Sequence, residues 1–194
     1  MSTSSYQILK GFCESSGKYG LSPIQMSDAE PIRKWRNEQI SALRQSNPLS
    51  KADQATYFNS VIKPSFSAET PSQILLRFTY SDKLIGYGGL VHLNWSSLRG
   101  EVSFLLDTER TRNVNEYCND LFIFLKLLKK CAFHKLCLNK ISTYSYSHRA
   151  YHVDAIEKAG FTREGVLRED TQVDGKWVDA ILASCLRSEF EKSE

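Results

Sequence analysis

The stretch GEVSFLLDTERTRNVNEYCNDLF, residues 100–122, decides the fold. It begins as a β-rich run, Gly100–Asp107, and ends inside a helix. From Asn113 to Phe133 the apolar positions Val114, Tyr117, Cys118, Leu121, Leu125, Leu128 and Ala132 recur at helical spacing. That period marks an amphipathic helix, and Asn113 and Glu116 stand at capping-box spacing, which fixes its start. LCLNKISTYSY (136–146) is a strand again. Strand, helix and strand in this order predict a locally parallel pair with a right-handed crossover.

A junction of this kind is suited to a phosphate, because free helix N–H groups and the helix dipole both favour an anion there. Glycines usually admit the backbone approach, yet residues 107–122 contain none. Two readings follow: an anion site, or a structural helix start.

Working outward, LSPIQ (21–25) reads as a short strand. Ser27 and Glu30 stand at capping-box spacing before a first helix over 28–40 that carries Ile32, Trp35 and Ile40. Ser50 caps a second helix over 51–62, burying Ala55, Phe58, Val61 and Ile62 and ended by Pro64. QILLRFTY (73–80), LIGYGGLVHLNW (84–95) and GEVSFLLD (100–107) form an antiparallel meander. RAYHVDAIEKA (149–159) is a helix closed by Gly160, and Asp174–Gly175 joins the last two strands as a type I′ hairpin. Residues 1–20 are expected to be an appended arm with one strand at 6–12, residues 21–188 one domain, and residues 189–194 a tail.

The 194 residues suit a single core, with 41% apolar and 24% charged residues. A net charge of +3 does not point to nucleic acid. The one basic run, KLLKKCAFHK (126–135), reads as the solvated face and C-terminal charge of the long helix. No apolar run approaches the roughly 20 residues of a membrane span. Five cysteines without metal-ligand spacing, and no secretory pattern, predict a cytoplasmic protein without a metal.

The element order and its strings resemble the GNAT superfamily of acetyl-CoA-dependent N-acetyltransferases. CAFHKLCLNKI (131–141), AIEKAGFTREGVLRED (155–170) and DGKWVDAILASCL (174–186) carry the resemblance. It is nearest to the ribosomal-protein N-terminal acetyltransferase branch. WRNEQISALRQSNPLSKADQATYF (35–58) is similar instead to enzymes that acetylate nucleotide-linked amino sugars. The implied fold is of the α/β (α+β) class, a mixed central sheet with splayed parallel strands flanked by helices.

The resemblance implies acetyl-CoA as co-substrate, lying between the splayed strands. Its pantetheine would pair with the 102–107 strand, and a strand N–H, of Leu105 or Leu106, would polarise the thioester. The loop of Asp107, Arg110, Arg112, Asn113, Val114 and Asn115 would hold the pyrophosphate. In the family's Arg/Gln-x-x-Gly-x-Gly/Ala pattern, Glu109 stands on the leading position, Arg112 on the middle glycine, Val114 on the last small residue and Glu116 on the following Glu. Arg110 and Arg112 carry charge that could replace close amide contacts, whereas the capping Asn113 occupies an amide and Arg112 could block the approach.

For catalysis, Tyr144 falls where relatives carry a base glutamate, Ile156 where they carry an acid tyrosine, and Arg149 where they carry an Asn that precedes the helix. The replacement candidates are Glu101, Tyr144, His148 and Tyr151, with Tyr146 beside them. Arg36, Asn37 and Arg44 are the acceptor-side candidates, Arg33 a further cation for a diphosphate, and His92 an outward strand residue. Gly86, Gly88 and Gly89 suggest a bulge or close backbone approach. The acceptor is a primary amine, on a nucleotide-linked sugar in preference to a protein N-terminus, and the protein a monomer or homodimer. A binding module of the same shape that has lost catalysis is the alternative.

Overall fold

The computed structural model describes residues 5–43, 45 and 47–193. Its strands are β1 (Glu14–Ser16), β2 (Tyr19–Pro23), β3 (Ile74–Tyr80), β4 (Lys83–Asn94), β5 (Arg99–Leu106), β6 (Lys140–Tyr146), β7 (Thr162–Val173) and β8 (Lys176–Leu186). The helices are α1 (Ala29–Glu38), α2 (Lys51–Tyr57), α3 (Lys63–Ser65), α4 (Val114–Lys130), α5 (Ala150–Lys158) and α6 (Arg187–Ser193). One sheet holds all eight strands in the order β1-β2-β3-β4-β5-β6-β8-β7. Neighbours run antiparallel except β5 and β6, which are parallel, as the strand–helix–strand order predicts.

Turn chemistry sets the hairpins. Asp174 and Gly175 have φ of 49° and 75°, the two left-handed residues a type I′ turn needs, and join β7 to β8. Ser81 and Asp82, at 46° and 64°, do the same between β3 and β4.

Helices cover both faces. Phe124 of α4 meets the rings of Phe78 and Phe104 at 5.5 and 4.7 Å. Asp28 and Arg36, from the α1 region, reach Arg77 and Tyr87, which point the other way from the strands. Close approach at β4 depends on its glycines. A Cβ on Gly88 would lie 2.2 Å from Ser103 O and 2.7 Å from the Phe124 ring. The glycine run is therefore a place where β4, β5 and α4 come together too closely for a side chain.

Several local expectations change. Residues 6–12 form no strand; a 3-10 turn at Gln7–Leu9 puts Tyr6, Leu9 and Phe12 into the core, and the strand comes later, at β1. The capping box before α1 is Gln25 with Asp28, two residues earlier than Ser27 with Glu30. Asp28 is buried against Arg77, which holds the box there, while Glu30 is spent on Arg33. After α2 a π turn, Phe58–Ile62, shifts the helical face, and helix continues through Pro64 into α3. Gln54, Phe58, Ile62 and Phe66 are buried as a result, and Ala55 and Val61 face outward. At the other end Phe190 of α6 is buried, 5.3 Å from Phe133. Among the described residues no helix is long and apolar enough to cross a membrane.

Candidate active site

β5 and β6 pair over three residues, from Arg99 with Lys140 to Glu101 with Ser142. Beyond that point β5 stays on β4 as far as Leu106, and β6 stays on β8 as far as Tyr146. The two strands therefore part, and their facing edges no longer share a ladder. Unpaired backbone groups in a cleft need partners, which makes the wedge a natural seat for an extended amide-bearing ligand. A cavity of about 310 Å³ fills it, closed on one side by α5.

Glu101 stands where the strands part and lines the cleft. Its ladder partner on β4 is Val91, and the register slips between Val91 and Asn94. His92 sits in that slip with φ of 50° and is thereby turned to the cleft rim. Tyr144 and Tyr146 line the opposite strand's side, and Tyr144 Oη donates to Asp170. Arg36 reaches the cleft from α1, held by Gln45 at 2.9 Å and Tyr87 Oη at 2.9 Å.

Arg149 also lines the cleft, and its Nη2 donates to Tyr117 Oη at 2.9 Å. Tyr117 Oη in turn lies 2.8 Å from His152 Nδ1. Burial pushes the Tyr117 hydroxyl up to about 12. Burial and then the Arg149 charge push the His152 imidazole down to about 3. Ser145, on β6, lines the same cleft, and its buried Oγ has no hydrogen-bond partner among the described residues.

Other expected residues stand elsewhere. The cleft wall on β5 is Glu101–Phe104; Leu105 and Leu106 lie beyond it with their side chains in the core. The Leu106 carbonyl is taken by Gln39 Nε2 at 2.8 Å. Asn37 is a loop staple, donating to Leu49 O at 2.9 Å and accepting from Leu49 N at 2.8 Å. His148 is exposed and stacked on Tyr146. Tyr151 turns outward, lining a separate groove between α4 and α5 with Phe122 and Lys158. Its ring packs edge-on against Tyr117 at 5.5 Å. Arg44 lies outside the described residues.

The start of α4 is a 3-10 turn, Thr108–Arg112, followed by the helix. Asp107 Oδ1 accepts from Glu109 N, opening the turn. Asn113 Oδ1 accepts from the amides of Asn115 and Glu116 at 3.0 and 3.3 Å. Two first-turn amides are thus already partnered by the cap, while the Glu116 carboxylate pairs with Arg110 in place of completing the box. Val114 is exposed at the mouth of the turn. Arg110 is not available to a phosphate: it is bound to Asp120 and to Glu116. Arg112 is 72% exposed and pairs with Glu109, also on the surface. A surface pair of this kind is weak, so Arg112 can be drawn to another anion at little cost.

A second cavity of about 510 Å³ adjoins the cleft, sharing Leu43, Tyr144 and Tyr146 with it. Among the described residues its wall carries two carboxylates, Asp170 and Asp174, and no cation. The β7–β8 hairpin supplies both. These carboxylates, and His152 and Ser145, were not singled out by the sequence. The 3.6-residue period from His152 to Ile156 was the available signal for His152, since both line the cleft from α5.

Among the described residues the mixed sheet parts at its parallel pair, with a helix start at the mouth, and solved structures share this fold. The spermidine N-acetyltransferase from Vibrio cholerae in complex with CoA and spermine is similar over 91% of this chain and 99% of its own. Its TM-score is 0.78, at 17% identity. A dodecameric structure of spermidine N-acetyltransferase from the same organism, in an intermediate state, covers 92% and 100%, with TM-score 0.77 and 19% identity. At these identities the likeness establishes the fold. The family is established by sequence: residues 21–182 match the acetyltransferase (GNAT) domain, and the chain belongs to that family of acetyltransferases. No curated protein matches it.

Proposed function

We propose that this enzyme transfers the acetyl group of acetyl-CoA directly to a primary amine within a ternary complex. The observation that carries the reading is the parting of β5 from β6 at Glu101 and Ser142, which opens a cleft lined by ionisable side chains. The pantetheine arm lies along Val102–Phe104, and the pyrophosphate meets the start of α4, where Arg112 supplies the charge. A backbone N–H of the 102–104 stretch polarises the thioester carbonyl. An amine of ordinary pKa is mostly protonated at neutral pH and must lose a proton before attack. Glu101, at the apex, takes that proton.

The adjoining cavity admits the acceptor. Its Asp170 and Asp174 favour a cationic molecule over a nucleotide diphosphate. Arg33, a cation expected to serve a diphosphate, is engaged by both oxygens of Glu30 and by Leu49 O. The acceptor is therefore an amine carried on a further positive charge. Spermidine and spermine, with which the similar structures are associated, have that chemistry. Thiol release from acetyl-CoA, followed with spermidine, a nucleotide-linked amino sugar and a peptide N-terminus, tests this. Fastest release with the polyamine supports the cationic acceptor, and release with the sugar alone overturns it.

A further inference from the structure

We propose that His152 is a catalytic residue of this cleft, a neutral imidazole whose Nε2–H donates a hydrogen bond to the thioester sulfur as it departs. The inference rests on the acetyl-transfer reading above.

The direction of each hydrogen bond follows from what its groups can do. A guanidinium only donates, so Arg149 Nη2 gives its hydrogen to Tyr117 Oη. Tyr117 is 4% exposed, and its hydroxyl hydrogen needs an acceptor. His152 Nδ1, at 2.8 Å, is that acceptor. If Nδ1 carried the proton instead, the buried hydroxyl hydrogen would be left without a partner among the described residues. Nδ1 is therefore bare, and the imidazole proton sits on Nε2.

With Nδ1 turned to Tyr117, the Nε2 edge is left for the cleft that His152 lines, and it has no hydrogen-bond partner among the described residues. Burial beside Arg149 keeps the ring uncharged. The donor is thus fixed in tautomer, direction and charge before any ligand arrives, which is how an electrostatic contribution avoids reorganisation at the moment of reaction.

The surroundings select the atom it serves. The wall that His152 shares includes Phe104, Leu121, Leu125 and Ile156, which suits the apolar end of the arm that carries the sulfur. A thiolate emerging against apolar side chains is poorly solvated, and a fixed donor beside it lowers that cost. The carboxylate of Glu101 belongs to the strand side, where the amine is deprotonated. In the step itself the amine nitrogen bonds to the acetyl carbon, and the carbon–sulfur bond breaks with its electron pair on sulfur. The amine gives up one proton, which finally neutralises the thiolate. His152 keeps its own proton throughout and only shares it.

Calorimetric titration with CoA and with desulfo-CoA tests the role without an acceptor. It is performed at pH 8.5, where a thiol of ordinary pKa, about 8.5, is half ionised. The wild-type protein is expected to bind CoA about tenfold more tightly than desulfo-CoA, the size of one hydrogen bond to a charged atom. His152→Ala brings the ratio of the two affinities to about one. Tyr117→Phe keeps the ring but deletes the hydroxyl that sets the tautomer, and reduces the preference partway. A wild-type ratio near one, or a ratio that survives both substitutions, overturns the role of His152 while the acetyl-CoA reading stands. If the wild type binds neither ligand, that reading falls and takes this inference with it.

Discussion

Arg110 and Asp120 form a two-pronged pair beneath the start of α4. Arg110 Nε and Nη2 donate to the two carboxylate oxygens at 2.7 and 3.0 Å, and Asp120 is fully buried. Tyr19 Oη donates to the same carboxylate at 2.8 Å, tying β2 to α4. An arginine that reads from sequence as a phosphate ligand is thus part of the scaffold.

Removing one member of that pair leaves a charge stranded in a dry place. Arg110→Ala, which leaves the fully buried Asp120 without its cation, is expected to lower stability by about 3 kcal/mol, the usual scale for breaking a buried ion pair. Urea unfolding, followed by circular dichroism, measures it. A loss below about 1 kcal/mol would mean that the Tyr19 hydroxyl and water suffice for the Asp120 carboxylate.

In the proposed site Arg112 is the helix-start cation that meets the pyrophosphate. Arg112→Gly is expected to weaken acetyl-CoA binding roughly tenfold, as for one lost charge-assisted hydrogen bond. Its stability cost is small, because the Glu109 pair lies on the surface. Tighter binding in the variant would show that the arginine obstructs the site.

Glu101→Gln keeps the size of the side chain and removes its basicity. Turnover with a polyamine is expected to fall about a hundredfold, within the range for a general base. Acetyl-CoA affinity, read by titration, stays within a factor of two or so if the contact is made with the amine. Unchanged turnover removes Glu101 from the proton path.

Gly88 has no room for a side chain. A methyl group there would sit 2.2 Å from Ser103 O, which belongs to rigid backbone. Gly88→Ala should destabilise by about 1–3 kcal/mol, the cost of overpacking. Thermal melting checks this, and near-wild-type melting would mean that β4 and β5 can separate.

The pH dependence of stability follows from His152. Its folded pKa is near 3, while an unfolded imidazole titrates near 6.5. The unfolded chain therefore binds more protons between these values, and stability falls as pH drops from about 6.5 toward 3. Between pH 7 and 5 the wild type should lose melting temperature faster than His152→Gln. Parallel profiles would mean that the folded protein accepts the charge.

Much of the scaffold is legible in the sequence because it is local. The helical period of 113–133, the Asp174–Gly175 turn and the Asn113 cap each need a few neighbouring residues and appear where their patterns put them. What the sequence leaves open is set by distant partners. Asn37 is claimed by Leu49, Arg110 by Asp120, and the α1 capping box by Arg77 through Asp28. His152 is an ordinary helix residue until Tyr117 and Arg149 fix its ring. Tyr151, its chain neighbour, points away for the simple reason that adjacent helical positions face about 100° apart.

The short β5–β6 pairing has a mechanical consequence. Strands β1–β5 and β6–β8 are two blades, riveted by the three residue pairs from Arg99 with Lys140 to Glu101 with Ser142. An extended ligand bridging the blades beyond that rivet would act as a splint, sharing hydrogen bonds with both. The amides of 102–104 and 143–146 should then exchange with deuterium more slowly once the splint is in place. The blades' outer strands, already laddered, should feel little of it.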